Sequence, residues 1–381
     1  MDGLLVVAFG VVLFLLVVWL LLRWCLSGTT CRCTRDLRGK HAVLTGVTSG
    51  MGVPIARRLA AAGADLVLVV RDVAAGERLA ATLHRDHPAC GATAVVRADL
   101  ADLASVRAAL PAIVRALAGF GGAGDPAGGA GESAPPLHVL VNNAGVLLPP
   151  LPATAQGLET HFGVNYVAAV VLTRGLLPCL RAAGGGARVV VLTSVTHALV
   201  PRVLGGVRDA LFAAPPCAPT AAGALLRYAH SKHALLLFAR ALARREERVR
   251  VCAVDPGIVC TGITRHMPPV VDSLWQHLFV FPSFLSLFFP PVSLSLFSLT
   301  HAVLGGAGNR HVGRSAETGA QTAVHCVLAP AAAVPSGALF CDCHAVPCTG
   351  AALAPAAQDR LWAQTERLLA ALSPPECQGA R

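Results

Sequence analysis

The sequence predicts an α/β fold, a doubly wound parallel sheet in a single domain, carried behind an N-terminal transmembrane helix. Three observations predict it. The 381 residues are 54% hydrophobic and 14% charged, enough to bury a sizeable core and too apolar for a disordered chain. From residue 41 onward, short apolar runs alternate with stretches of helical spacing, the pattern of a sheet wrapped by helices. Gly3–Leu22 carries no charge, and as a helix it would be about 30 Å long, the thickness of a bilayer core.

The N-terminal run starts beside Asp2, and the basic residues follow it. A cleaved signal peptide, the alternative, usually has a basic start and a shorter apolar core. The expectation is a single uncleaved anchor over residues 1–24, then a basic juxtamembrane linker at 25–38. Arg23, Arg32, Arg35, Arg38 and Lys40, opposed there only by Asp36, place the rest of the chain in the cytosol. That cluster supplies four of the ten net positive charges, and no basic stripe with interleaved aromatics occurs elsewhere, so no nucleic acid partner is expected. A cytosolic body keeps the 13 cysteines reduced. Cys25, Cys31 and Cys33 sit where acylation is possible. Cys341, Cys343, His344 and Cys348 lack the paired Cys-x-x-Cys or His-x3-5-His spacing of a zinc site and are read as chance clustering, with no metal expected.

The sheet elements follow in order. His41–Leu44 is a short apolar strand ending in Thr45-Gly46-Val47-Thr48-Ser49-Gly50-Met51-Gly52. Val53–Ala62 has helical spacing and stops at Gly63. Asp65–Val70 reads as a buried strand, and Thr93–Ala98, Val139–Val141, Arg188–Leu192 and Val249–Val254 as later ones. Gly119–Pro136, rich in Gly, Ala and Pro, reads as a solvent loop. The domain spans residues 39–372, with a short tail at 373–381.

An atypical insert occupies about 268–313. From Phe279 to Phe297, all residues but Val280 and Val292 are Phe, Leu, Ser or Pro, including six of the chain's 13 phenylalanines. Three readings stand. It is a membrane-dipping element, although Pro282, Pro290 and Pro291 oppose a continuous helix; a hydrophobic lid over a lipid pocket; or a translated polypyrimidine tract, since all four residue types have pyrimidine-rich codons.

Scarcity marks the chemistry. Of 31 basic residues only Lys40 and Lys232 are lysine; there are two tyrosines, Tyr166 and Tyr228, and four asparagines, Asn142, Asn143, Asn165 and Asn309. Tyr228 and Lys232 lie four apart and share a helix face, where an ammonium lowers a phenol's pKa toward neutrality. Ser194 follows the Arg188–Leu192 strand as a hydroxyl donor. The glycines at 46, 50 and 52 clear space for a pyrophosphate at a helix N-terminus, as in Rossmann-type folds. Val70 stands where NAD-binding folds usually place an acid and Arg71 follows it, so Arg71 can pair with a 2′-phosphate or simply be a surface arginine. Asp99, after the third strand, is placed to contact an adenine. Asn142, Asn143 and Asn165 have the alternative of being satisfied core amides or caps.

On these residues the sequence resembles the short-chain dehydrogenase/reductase family, over about residues 38–265. The likeness rests on the Thr-Gly-x3-Gly-x-Gly turn at 45–52, Asn142-Asn143-Ala144-Gly145, Asn165, Ser194, Tyr228, Lys232, and Asp255-Pro256-Gly257 with Thr261. Pro136–Val146 and Glu159–Tyr166 point to its retinol-dehydrogenase-related branch, and Arg314–Leu369 resumes a weaker likeness. Met51 replaces the usual Ile, and Ala168-Ala169-Val170 stands where the branch has Gly-His-Phe. The resemblance implies a catalytic tetrad of Asn165, Ser194, Tyr228 and Lys232. It implies NADP(H) or NAD(H) held by Thr45, Gly46, Ser49, Gly50, Met51, Gly52, Arg71, Asp99, Leu100, Asn143, Ala144, Gly145, Tyr228, Lys232, Pro256, Gly257 and Thr261. The implied substrate is a lipophilic alcohol or aldehyde, polyprenol to polyprenal and dolichal to dolichol. The implied location is the endoplasmic reticulum membrane or a lipid droplet. Retinoid or sterol substrates, or a catalytically silent membrane scaffold, are the alternatives.

Overall fold

β-branched runs become strands where both sheet faces are covered, and here each run supplies residues to two cores at once. The computed structural model describes Phe14 and residues 28–120, 134–200, 221–259, 261–264, 314–348 and 352–372. The anchor apart from Phe14, most of the Gly/Ala/Pro loop, the insert at 268–313 and the tail lie outside the described residues. Strands β1 (His41–Thr45), β2 (Asp65–Val70), β3 (Thr93–Arg97), β4 (Val139–Asn142), β5 (Ala187–Leu192) and β6 (Val249–Asp255) match the predicted runs to within a residue or so. With β7 (Leu339–Cys341) and β8 (His344–Val346) they form one sheet of order β3-β2-β1-β4-β5-β6-β7-β8. All neighbours are parallel except the closing β7–β8 hairpin.

Alternation along each strand divides the core. Val43, Val67, Leu140, Val189 and Val251 face one apolar cluster, while Leu44, Leu66, Val141, Val190 and Val254 face the other. Each such side chain contributes about 1.5–3 kcal/mol by leaving water, and covering both faces is what permits a parallel sheet. The first face takes α3 (Leu103–Phe120) and α4 (Ala168–Ala182). The second takes α1 (Gly52–Ala61), α2 (Val73–Asp86) and α6 (Ala316–Leu328). The long α5 (Ala221–Arg245) and the C-terminal α7 (Pro355–Ala371) pack on the first face.

Two described helical stretches, 103–120 and 162–182, are long and apolar enough to cross a membrane. Their apolar faces instead meet the sheet: Val106, Ile113 and Leu117 from one, Phe162, Leu172 and Leu176 from the other. Ala168, Ala169 and Val170, the departures from the branch pattern, are buried in that same core. The last third of the chain, where the sequence pattern was weakest, is locked by one buried arginine. Arg188 on β5 donates to the carbonyls of Cys326, Val327 and Ala329 at 2.8, 3.0 and 2.6 Å, satisfying the C-terminal end of α6. Cys341, Cys343, His344 and Cys348 spread through the β7–β8 hairpin. Cys343 turns toward Thr29 and Cys348 accepts from Arg240.

Candidate active site

Strand order reverses between β1 and β4, and the crevice at their carboxyl ends is where open α/β sheets bind ligands. The predicted residues converge there. The turn after β1 places Thr45, Gly46, Ser49, Gly50, Met51 and Gly52 at the mouth of the crevice. Its glycines are dictated by space: a Cβ on Gly52 would stand 2.0 Å from the Gly46 carbonyl oxygen, and one on Gly46 2.7 Å from Ala144 Cα. The Thr45 hydroxyl accepts from the Asn143 and Ala144 amides, both at 3.1 Å, and the Asn143 side chain donates to the carbonyls of Thr45 and Gly46 at 3.0 and 2.8 Å. Thr45 and Asn143 therefore brace the two strand ends against each other, and the backbone they hold forms the cradle. Asn142 is a core amide, bonded to Thr173 at 2.9 Å.

Along the rim, Arg71 is exposed at the end of β2. Asp99 and Leu100 are half-buried after β3, where one Asp99 oxygen accepts from the Ala101 amide at 2.9 Å. On the far side, Pro256 and Gly257 follow β6. Thr261 returns to lie 3.4 Å from where a Gly50 Cβ would be, closing over the glycine turn. Sequence reasoning missed Arg314, which donates to the Pro256 carbonyl at 2.9 Å and pairs with Asp342 at 2.6 Å. It ties the chain after the insert back onto this loop.

One irregular element positions the first of the four predicted catalytic residues, Asn165. Phe162–Val167 forms a turn of π-helix leading into α4, a distortion that often marks functional positions. It brings Asn165 inward. The Asn165 Oδ1 accepts from the Val146 amide at 2.7 Å; its Nδ2 donates to the Val146 carbonyl at 3.1 Å and to Ser231 Oγ at 3.0 Å. Gly145 leaves the gap between them: a Cβ there would sit 3.2 Å from Lys232 Nζ and 3.4 Å from Asn165 Oδ1. Lys232 Nζ donates to the Leu192 carbonyl at 2.9 Å and lies 5.7 Å from the Tyr228 ring centre. Ser194, capping a 3-10 turn at Val195–Ala198, hydrogen-bonds the Tyr228 side chain.

One expectation is corrected. In this pocket the Tyr228 phenol is not lowered toward neutrality. Burial pushes it up to about 12, against the opposing bond from Ser194 and with the Asp255 charge adding to the rise. Burial likewise brings the Lys232 ammonium down to about 8. Desolvation outweighs what the sequence spacing suggested, because both groups lie fully inside the protein.

A second missed pair lies behind the tyrosine. Glu159 Oε1 is 2.6 Å from His161 Nδ1, and His161 Nε2 is 3.1 Å from the Leu148 amide nitrogen. The Leu148 N–H is a donor, so Nε2 accepts and the proton sits on Nδ1, facing the carboxylate. Burial raises the Glu159 carboxyl, but bonds from His161 and the Phe162 amide outweigh it and leave the acid below its usual range. The imidazole edge packs on the Tyr228 ring at 6.2 Å and holds Leu148 at a φ of 50°. Around Tyr228 this leaves Leu147, Leu148, Leu225 and Ile263. Tyr166, by contrast, is structural: its hydroxyl bonds Thr365 on α7 at 2.6 Å.

Known proteins resemble this chain in sequence and in fold. The short chain dehydrogenase profile matches residues 40–206. Retinol dehydrogenase 12 of Mus musculus is 32% identical over 88% of both chains, and retinol dehydrogenase 11 of Homo sapiens 30% identical over 90% of this chain and 89% of that one. Polyprenol dehydrogenase of Mus musculus is 37% identical over a shorter span, 60% of this chain and 62% of its own. In fold, the chain is similar to an uncharacterised protein from Mycobacterium Paratuberculosis, with a TM-score of 0.57 and 24% identity over 90% of this chain and 97% of that one. The angucycline C-6 ketoreductase LanV, solved with bound NADP, gives a TM-score of 0.53 at 21% identity over 80% and 95%. With the cradle, the tetrad and these relatives together, the chain belongs to the short-chain dehydrogenase family, in its retinol-dehydrogenase-related branch, and is a nicotinamide-dependent oxidoreductase.

Proposed function

We propose that this enzyme interconverts a long-chain isoprenoid alcohol and its aldehyde, polyprenol with polyprenal using NAD(H) and dolichal with dolichol using NADP(H). The observation that carries an apolar substrate is the setting of the Tyr228 hydroxyl, beside Ser194 and within a patch of Leu147, Leu148, Leu225 and Ile263. Relatives named for retinol and for polyprenol support the same substrate class.

The residues fit a dinucleotide. The turn has no room for a Cβ at Gly46 or Gly52, and backbone amides at a helix N-terminus suit a pyrophosphate. Gly46, Ser49, Gly50, Met51 and Gly52 would hold the phosphates, braced by Thr45 and Asn143. Asp99 and Leu100 would border the adenine, and Ala144, Gly145, Pro256, Gly257 and Thr261 the nicotinamide end. The exposed Arg71 favours a 2′-phosphate. When bound, the nicotinamide supplies or accepts the hydride. In reduction Tyr228 donates its proton to the substrate oxygen while Ser194 hydrogen-bonds that oxygen. The raised phenol is fully protonated at neutral pH, the correct state for an acid. Lys232 would hold the nicotinamide ribose and, lying 5.7 Å from the Tyr228 ring centre, would steady the phenolate left behind. Asn165, fixed by Val146 and Ser231, keeps the π-turn open beside Lys232 for proton relay. Residues 3–22 anchor the chain in the endoplasmic reticulum or a lipid droplet with the catalytic domain in the cytosol, which brings the apolar pocket to where such lipids reside.

The test is turnover of protein in liposomes, with dolichal and retinal run side by side on NADPH. Dolichal is expected to be the better substrate, and Tyr228→Phe is expected to lose at least about a hundredfold in rate. Matching rates for wild type and variant would overturn the catalytic assignment. Preference for retinal would overturn the substrate.

A further inference from the structure

The segment entering the fold from the N-terminal side is fastened both to α1 and to elements about three hundred residues away. The Thr29 amide reaches Asp342 at 3.4 Å, the Cys31 amide donates to Gln321 at 3.0 Å, and Arg58 donates to the Cys33 carbonyl at 3.4 Å. Two thiols are thereby delivered to α6. The sulfurs of Cys31 and Cys33 and a ring nitrogen of His325 all lie within 4.8 Å of one another. Cys33 Sγ is 3.7 Å from His325 Nδ1.

Those distances carry chemical information. With Zn–S near 2.3 Å and Zn–N near 2.1 Å, tetrahedral ligands stand roughly 3.5–3.8 Å apart. A fourth donor stands beside Cys31, since the Cys343 thiol hydrogen-bonds it, although the Cys343 sulfur lies outside the 4.8 Å cluster of the other three. Cys343 sits in the two-residue turn between β7 and β8, where Asp342 and Cys343 take the positive φ values, 51° and 63°, that such a hairpin turn requires. The Cys343 amide is held by Thr322 at 3.3 Å, and the His325 ring rests on Phe340 at 6.0 Å. Cys31 is 5% exposed and Cys33 half-buried, so packing against α6 has taken up the two thiols that the sequence left open to acylation.

We propose that Cys31, Cys33, His325 and Cys343 bind one zinc ion, which clips the N-terminal segment onto α6 and the β7–β8 turn. Three thiolates and an imidazole match the ligand preference of zinc. Binding displaces the protons of the three thiols, while His325 coordinates as neutral imidazole through Nδ1. The clip would close one of the longest loops the chain can form, restraining the unfolded state where the gain from loop closure is greatest.

Full-length protein in detergent, prepared without chelator and passed through gel filtration, would be analysed for metal by mass spectrometry. About one zinc per chain is expected, and cobalt exchange should give the intense visible absorption of a tetrahedral thiolate site. Cys31→Ser and Cys33→Ser should each lower zinc retention about tenfold, and Cys90→Ser should leave it unchanged. The cobalt spectrum of wild type decides the matter even where a variant folds poorly. Wild-type protein that keeps no stoichiometric zinc after loading, a cobalt spectrum of octahedral type, or a Cys31–Cys343 disulfide found by peptide mapping would each overturn the proposal. None of these readouts depends on turnover, so the outcome stands apart from that of the substrate assay.

Discussion

Replacing Lys232 by methionine is expected to abolish turnover and yet to stabilise the nucleotide-free protein at neutral pH. Lys232 is 3% exposed, and burial lowers its ammonium from 10.5 to about 8. The unfolded chain therefore binds more protons than the folded one between those two values. Wild-type stability rises with pH through that window, and the penalty is complete below it. At about 1.4 kcal/mol per tenfold in the protonation equilibrium, the buried charge costs about 3 kcal/mol at pH ~7. Methionine fills nearly the same volume without charge, but it leaves the Leu192 carbonyl, bonded at 2.9 Å in wild type, without its donor, at about 1 kcal/mol. The net gain is about 2 kcal/mol. Denaturant unfolding of both proteins at pH ~7 and pH ~9.5 measures it, and the advantage of the variant should shrink by about 2 kcal/mol across that range. A difference that does not change with pH, or a variant less stable at both, would refute the reasoning. The catalytic role proposed for Lys232 then carries a stability cost located at one nitrogen atom.

Gly52→Ala places a methyl 2.0 Å from the Gly46 carbonyl oxygen; it is expected to cost about 1–3 kcal/mol and to weaken NADPH binding, followed by nucleotide fluorescence titration. Arg71→Glu should raise the KM for NADPH at least about tenfold while sparing NADH, because the exposed guanidinium is the group placed to pair with a 2′-phosphate; equal effects on both nucleotides would remove Arg71 from recognition. Arg188→Met should destabilise the fold by about 2 kcal/mol or more. Three orphaned carbonyls at about 1–3 kcal/mol each outweigh the relief of no longer burying a charge that burial already depresses to about 10, and the loss is read from the unfolding midpoint.

The parts legible in the sequence are those governed by local rules. Alternating apolar runs such as Asp65–Val70 announce buried strands because side chains repeat every two residues, and that strand appears with the expected bounds. The turn at Gly46–Gly52 is legible because its geometry excludes a Cβ, and Tyr228 with Lys232 because a helix sets them on one face. What required tertiary structure involves distance along the chain or depth within it. β7 and β8 are three-residue strands, too short for any periodicity to show, and β7 joins the sheet by a long-range pairing with β6. Spacing placed an ammonium beside a phenol, but only burial decided that desolvation raises Tyr228 and lowers Lys232. The Glu159–His161 pair holding Leu148 looks like ordinary polar sequence until the π-turn folds it behind the tyrosine. Cys31 and Cys33 meet His325, a residue remote from them in sequence. Sequence by itself determined which residues can do chemistry and which strands bury both faces, since those follow from composition and period. Which groups touch, and in what dielectric, only the packed sheet decided, because contact and desolvation depend on segments that the chain brings together last.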